Sequence, residues 1–97
     1  MRYKIDYKLS AQTDLREIRA YLSRFYRNTA HRFFTELNRR LEILTIFPNS
    51  SPEYEDDPDY RIMAVRGYSV FYMVREETKT VEIHRIFHGS RDVSRHL

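Results

Sequence analysis

Cysteine is absent from the 97 residues, which excludes disulfide frameworks, thiolate metal sites and cysteine nucleophiles. No apolar run approaches the ~18–20 residues of a membrane-spanning helix. The opening Met1-Arg2-Tyr3-Lys4 has no signal-peptide character, so a soluble cytoplasmic protein with no membrane partner is expected. Glycine occurs only at Gly67 and Gly89, so no glycine-rich phosphate loop exists, and all three prolines fall within residues 48–59. Lysine is almost as scarce: only Lys4, Lys8 and Lys79, against 14 arginines among the 17 basic residues. What is plentiful is aromatic and aliphatic side chain, 41% hydrophobic with eight Tyr and six Phe, which excludes intrinsic disorder. A chain of this length is expected to form one domain over 1–97, built on one core.

The distribution of charge says more than its total of +3. Residues 1–47 carry ten Lys/Arg against five Asp/Glu, and residues 61–97 carry seven against four. Between them lie five acids and no base: Glu53, Glu55, Asp56, Asp57 and Asp59. Arginine favours bidentate contact with phosphates and carboxylates, so nucleic acid and acidic proteins are the candidate partners.

Alternation of polar and apolar residues predicts a strand over 2–8. Ser10 is placed as a helix N-cap with Asp14 in the first turn, and Leu15, Ile18, Tyr21, Leu22 and Phe25 mark a helix over 11–27. A second cap is expected at Asn28-Thr29, before a helix over 30–47 that carries Ala30, Phe33, Phe34, Leu37, Leu41 and Leu44 and stops at Pro48. Phe25 and Tyr26, like Phe33 and Phe34, are expected in or beside the core. Arg16, Arg19, Arg32, Arg39 and Arg40 lie on the polar faces of this helical hairpin. Residues 48–59 read as an acidic surface loop. The period then returns to two, giving an antiparallel meander over 60–88 that turns at Gly67-Tyr68 and at Glu76–Lys79, and a tail over 89–97. The expected fold is α+β in the order β-α-α-β-β-β, with the hairpin packed on one face of a mainly antiparallel sheet.

Two chemistries are compatible with the meander. Arg61, Arg66, Arg75, Arg85, Arg91 and Arg95 are expected to gather on the sheet face that the helices leave open. With Tyr60, Tyr68 and Tyr72 nearby, such a face suits phosphate clamping and base stacking, or an acidic peptide. His84 and His88, placed on one strand face, could move protons; standing ~13 Å apart on a strand, they make a poor metal pair. No metal or other cofactor is expected.

The chain contains Tyr3-x-Ile5, Ser10-Ala11-x-x-Asp14-Leu15-x-x-Ile18-x-x-Tyr21, Ala30-x-x-Phe33 through Leu44, Phe47-Pro48, Tyr60-Arg61, Arg66-Gly67-Tyr68-Ser69-Val70-Phe71-Tyr72, and Val81-x-Ile83-x-Arg85-Ile86-x-His88-Gly89-x-Arg91-Asp92. In this order and spacing they resemble the RelE/ParE superfamily of toxins from type II toxin–antitoxin pairs. The resemblance implies an antitoxin partner with an acidic, partly disordered C-terminal segment. It also implies one of two targets. RelE-like members cleave mRNA in the ribosomal A site without metal; ParE-like members poison DNA gyrase. Arg61 and Arg91 match the nuclease pattern, but Met63, Ser69 and Leu97 stand where it places a Lys, an Arg and a Tyr. His88-Gly89-Ser90-Arg91-Asp92 resembles the ending of ParE-like members, which favours gyrase. Arg61, Arg66, Tyr68, Arg75, Arg85, Arg91 and Asp92 are then binding residues. Under the nuclease alternative, Arg61, His84, His88 and Arg91 would be catalytic. A further alternative is a degenerate toxin that only binds its antitoxin.

Overall fold

The computed structural model describes residues 2–88. Strand β1 (Lys4–Tyr7) leads directly into helices α1 (Leu9–Phe25) and α2 (Arg27–Ile46), followed by strands β2 (Glu53–Tyr54), β3 (Asp57–Val65), β4 (Tyr68–Arg75) and β5 (Thr80–His88). The five strands form one sheet in the order β1-β5-β4-β3-β2, with β1 parallel to β5 and the other neighbours antiparallel. The expected order holds, with one short strand added inside the acidic stretch.

Helix boundaries differ from expectation because the side chains of Ser10, Asn28 and Thr29 do not cap the helices. At the start of α1, Gln12 N–H donates to Lys8 O (2.9 Å) and the Gln12 side chain donates to Tyr7 O (2.8 Å). Ser10 is thus an exposed residue of the first turn, and Asp14 lies a turn deeper and is buried. Tyr26 alone separates the helices: its N–H closes α1 on Leu22 O (2.6 Å) and its C=O accepts from Ala30 N–H (2.9 Å) to open α2. Asn28 and Thr29 are therefore already helical rather than caps. At the other end the helix stops at Phe47 (φ −124°, ψ 72°), which leaves the helical region as a residue before proline is pushed to do.

One face of the sheet buries Met63, Val65, Val70, Tyr72, Val81, Ile83 and Ile86 against Ala11, Ile18 and Leu22 of α1 and Phe33, Leu37, Leu41 and Leu44 of α2. Each large side chain buried here contributes about 1.5–3 kcal/mol before the entropy of ordering is subtracted. Residues 48–59 are not a free loop. Tyr72 Oη donates to Pro48 O (2.8 Å), Arg61 Nη1 to Ser51 O (2.7 Å) and Ile62 N–H to Pro52 O (3.0 Å). Glu53 then pairs with Arg61, and Tyr54 with Asp57. Pro58 is tolerated in β3 because it precedes the residues that pair with β4.

A β-bulge decides the last strand. Tyr72 pairs with Ile83 and Phe71 with Arg85, leaving His84 as the extra residue. Strict alternation cannot place both Ile83 and Ile86 in the core; the bulge does so and sends Phe87 to the opposite face. It also separates His84 from His88. His84 stands edge-on to Tyr60 (5.3 Å between centroids) on the face away from the helices. His88, opposite Tyr68, contacts that ring (5.2 Å) beside the helices. The expected shared face for the two histidines is thus corrected.

Candidate functional site

The arginines of the meander do not converge on the open face. Arg61 lies opposite Tyr72, so its side chain starts on the helix side, where it holds Ser51 O and approaches Glu53 (4.0 Å). Arg75 pairs with Glu82 (3.1 Å). Glu82 also receives His84 Nε2 (3.1 Å) and Lys8 (3.4 Å). Burial pushes the Glu82 carboxyl up, but hydrogen bonds from His84 and Arg75, with the charges of Arg75 and Lys8, outweigh it and hold the group below its ordinary value. Arg85 bends around the edge of β5 to Asp14, Nε to Oδ2 at 2.8 Å and Nη2 to Oδ1 at 3.1 Å. The same Asp14 Oδ2 accepts the backbone N–H of Ile86 (2.9 Å). Since β1 pairs with β5 only as far as Ile83, Asp14 serves the strand edge where β1 has ended. Of the tyrosines expected on the open face, Tyr72 is buried beneath α2 and Tyr68 packs on Phe33 (4.8 Å), so Tyr60 alone is there. The Tyr60 phenol is raised above its ordinary value by burial first and by Asp57 second, which leaves it a weaker acid than a free tyrosine.

Phe71, Phe87, Ile62 and Tyr54 occupy most of the remaining open face. Phe71 contacts Tyr54 (5.2 Å), Phe87 (5.8 Å) and Tyr60 (6.5 Å). Arg91 and Asp92 lie outside the described residues. Among the described residues no cluster of three His, Asp or Glu side chains could hold a metal ion, and no helix is long and apolar enough to cross a membrane.

Three of the nominated residues do meet, elsewhere. Arg66, Tyr68 and His88 form one wall of a groove of about 630 Å³ whose other wall is the second half of α1 and the start of α2. Its floor is Ile18, Leu22 and Ile86, its rim includes Asp14 and Glu17, and Tyr21 and Tyr26 stand over it. Tyr21, Phe25 and Tyr26 are more than half exposed and stack on one another with centroids 5.2–6.4 Å apart. Phe25 and Tyr26 are therefore surface, not core edge. The signal was the width of the α1 stripe: Ile18 and Leu22 already fill the core-facing row, leaving Tyr21 and Phe25 a row apart with nothing to bury them. The groove's turn is also unusual. Arg66 (φ 46°) and Gly67 (φ 85°) are both left-handed, as a two-residue type I′ hairpin requires. Arginine in that conformation costs about 1–2 kcal/mol that asparagine or glycine would largely avoid.

A two-helix hairpin on a sheet with a parallel β1–β5 pair is an arrangement this chain shares with several solved structures. The structure superposes on that of a chromosomal ParDE toxin–antitoxin system from P. aeruginosa with TM-score 0.71, 15% identity, and coverage of 90% of this chain and 96% of that one. Isolated E. coli RelE toxin gives 0.67 at 19% identity, covering 98% and 99%. The RelBE2 complex of Mycobacterium tuberculosis gives 0.66 at 17%, covering 91% and 99%. No curated sequence matches significantly. Residues 5–93 match the family described as the ParE toxin of the type II toxin–antitoxin system parDE, and the chain belongs to that family.

Proposed function

We propose that the protein is a ParE-like cytoplasmic toxin that poisons DNA gyrase and is neutralised by an antitoxin segment laid in the groove between α1 and the β3–β4 turn. The observation that carries this reading is the composition of the open sheet face. In-line attack by an RNA 2′-hydroxyl needs a proton acceptor, cations on the phosphate and a proton for the leaving oxygen. Alternate positions of β3 that would supply cations, Arg61 and Met63, both point toward the helices; Met63 is buried and Arg61 is held on a carbonyl. The open face offers Phe71 and Phe87 in the middle and an Arg75–Glu82–His84 group whose charges already satisfy one another. Arginine also makes a poor proton donor, since it stays protonated.

The groove suits an antitoxin better than a small substrate. It is open along its length, apolar at its floor and ringed by aromatic side chains, the chemistry that takes the apolar side of an ordering peptide segment. Arg66 at its mouth, which makes no ion pair among the described residues, suits an acidic residue of that segment. A strained Arg66 is consistent with selection for binding rather than for the turn.

The second reading, a ribosome-dependent mRNA endonuclease, draws on His84: it faces Tyr60 and is oriented by Glu82, an arrangement able to shuttle a proton. Gyrase supercoiling assays with antitoxin-free protein, run beside mRNA cleavage on programmed ribosomes, decide between them. Inhibited supercoiling or trapped cleaved DNA with intact mRNA is expected. A-site cuts abolished by His84→Ala, with gyrase unaffected, would overturn the gyrase reading. Silence in both assays would leave antitoxin binding as the only role.

A further inference from the structure

The arginines divide by position in a way the sequence conceals. Arg2, Arg39, Arg61, Arg75 and Arg85 each pair with a carboxylate, and Arg40 holds Ala64 O (3.0 Å). Among the described residues, those with neither an ion pair nor a backbone carbonyl are Arg16, Arg19, Arg24, Arg27, Arg32 and Arg66; all but the last belong to the helical hairpin. Three of these share one side of it. Arg16 and Arg19, one turn apart on α1, run on past Ser23 to Arg27 at the start of α2, a stripe about 10 Å long over Arg16–Ser23 at ~1.5 Å per residue. Opposite them on α2 stand His31, Thr35 and Asn38. With Arg19, Ser23 and Arg27 they line a shallow interhelical seam of about 380 Å³ that has no carboxylate in its lining, and Arg16 stands one turn beyond Arg19 on the same side of α1. Arg19 Cζ stands over the Phe34 ring at 4.0 Å from its centroid, a cation–π contact that restrains the guanidinium. The seam is on the side of the hairpin away from the aromatic groove; the two share no lining residue.

From this we infer that the outer seam of the hairpin binds the phosphate backbone of a nucleic acid duplex, independently of which target the toxin acts on. Charge complementarity selects the occupant. An uncompensated arginine row flanked by hydrogen-bonding residues, with only Ala30 and the Phe34 ring under Arg19 as apolar lining, suits a string of phosphates. An amphipathic protein segment would need an apolar floor such as the other groove provides. Phosphate oxygens take bidentate guanidinium contacts, and Ser23, Thr35 and Asn38 can donate to the same oxygens.

The test is fluorescence anisotropy of a labelled 20-base-pair DNA duplex with the full chain, titrated at salt from 50 to 200 mM. Three phosphate contacts predict a log–log salt slope of about −2.7, a loss of affinity of about 40-fold over that range. Arg19→Gln with Arg27→Gln should flatten the slope to about −0.9, a loss of only about 3–4-fold. Arg24→Gln with Arg32→Gln removes the same net charge away from the seam and should leave the slope near the wild-type value. If that control flattens the slope as much, the binding is a diffuse field and the seam has no special role. If no binding is seen at 50 mM, or if polyglutamate of equal charge binds more tightly than the duplex and responds to the same pair, the inference fails. Arg16→Gln with Arg27→Gln leaves the Arg19–Phe34 stack intact and replaces the first pair should that variant melt early.

Discussion

Removing the Asp14 carboxylate should be among the most damaging single changes to a charged residue of this protein, although the position resembles an ordinary acid near a helix start. Its two oxygens accept three N–H groups, from Arg85 Nε and Nη2 and from the backbone of Ile86, and its side chain is only 9% exposed. Asp14→Ala leaves the buried Ile86 N–H without its acceptor, which costs about 1–3 kcal/mol. The loss of the ion pair adds about 1 kcal/mol, well under the 3–5 kcal/mol of a fully buried pair, because the Arg85 side chain is 22% exposed and partly screened. The sum, about 2–4 kcal/mol, should lower Tm by about 10–25 °C for a domain of this size. Asp14→Asn keeps an oxygen for Ile86 N–H and should cost about half as much. Urea denaturation followed by far-UV circular dichroism measures the totals, and amide exchange at Ile86 should accelerate selectively. Arg85→Ala on the Asp14→Ala background should cost at least about 1 kcal/mol less than on the wild type, since the two residues form one unit. Full additivity of the two substitutions, or an Asp14→Ala cost under about 0.5 kcal/mol, would refute the claim that this contact closes the β5 edge.

Tyr72→Phe removes only the hydroxyl that holds Pro48 O, and should cost about 1–2 kcal/mol by urea titration while leaving the core packing intact; a neutral result would mean that residues 48–52 are not anchored there. Arg66→Asn relaxes a left-handed arginine and should raise stability by about 0.5–1 kcal/mol while weakening antitoxin affinity by calorimetry; tighter or unchanged binding would remove Arg66 from the proposed interface. Burial raises the Tyr7 phenol above 10.0, so its contribution is complete below pH 10 and declines as pH rises toward the folded value. The urea midpoint should therefore fall more steeply above pH 10 for the wild type than for Tyr7→Phe, and parallel curves would contradict this. Glu82 is shifted the other way, below 4.5, so its stabilisation is present above that pH and lost as pH drops further; Glu82→Gln should shallow the acid limb of the same titration.

Hydrophobic period carried most of the fold. The α2 row Ala30, Phe33, Leu37, Leu41 and Leu44 is buried as its spacing demands. What period could not carry was anything set by a long-range partner. Ser10 and Asn28 looked like caps because such residues often are, but here Lys8 and Tyr26 backbone groups open the helices and no side chain is needed. Glu53-Tyr54 has too few residues and too many neighbouring acids to signal a strand; it becomes one because Arg61 and Pro52 hold it against β3. The bulge at His84 was invisible for the same reason. It answers to Asp14, 70 positions earlier, and its effect was to make an alternating strand read as ambiguous.

The candidate site shows the same division in its charges. Sequence spacing counts cations but not their partners, and a row of arginines on alternating strand positions looks like a binding face. Here every described meander arginine except Arg66 meets a carboxylate: Arg61 meets Glu53, Arg75 meets Glu82, and Arg85 meets Asp14 from across the sheet edge. An internally paired arginine offers an incoming anion only the difference between two similar contacts, whereas an unpaired one offers the whole of the new contact. The electrostatic reach of the protein therefore belongs to the hairpin and to the turn at Arg66. That assignment argues against phosphate chemistry built on the meander arginines: a nuclease using Arg75 would have to break the Arg75–Glu82 pair and leave a half-buried carboxylate beside the phosphate. A face whose neutralisation is already internal is better suited to staying folded than to cleaving RNA, and the partners of this toxin are to be sought along its helices.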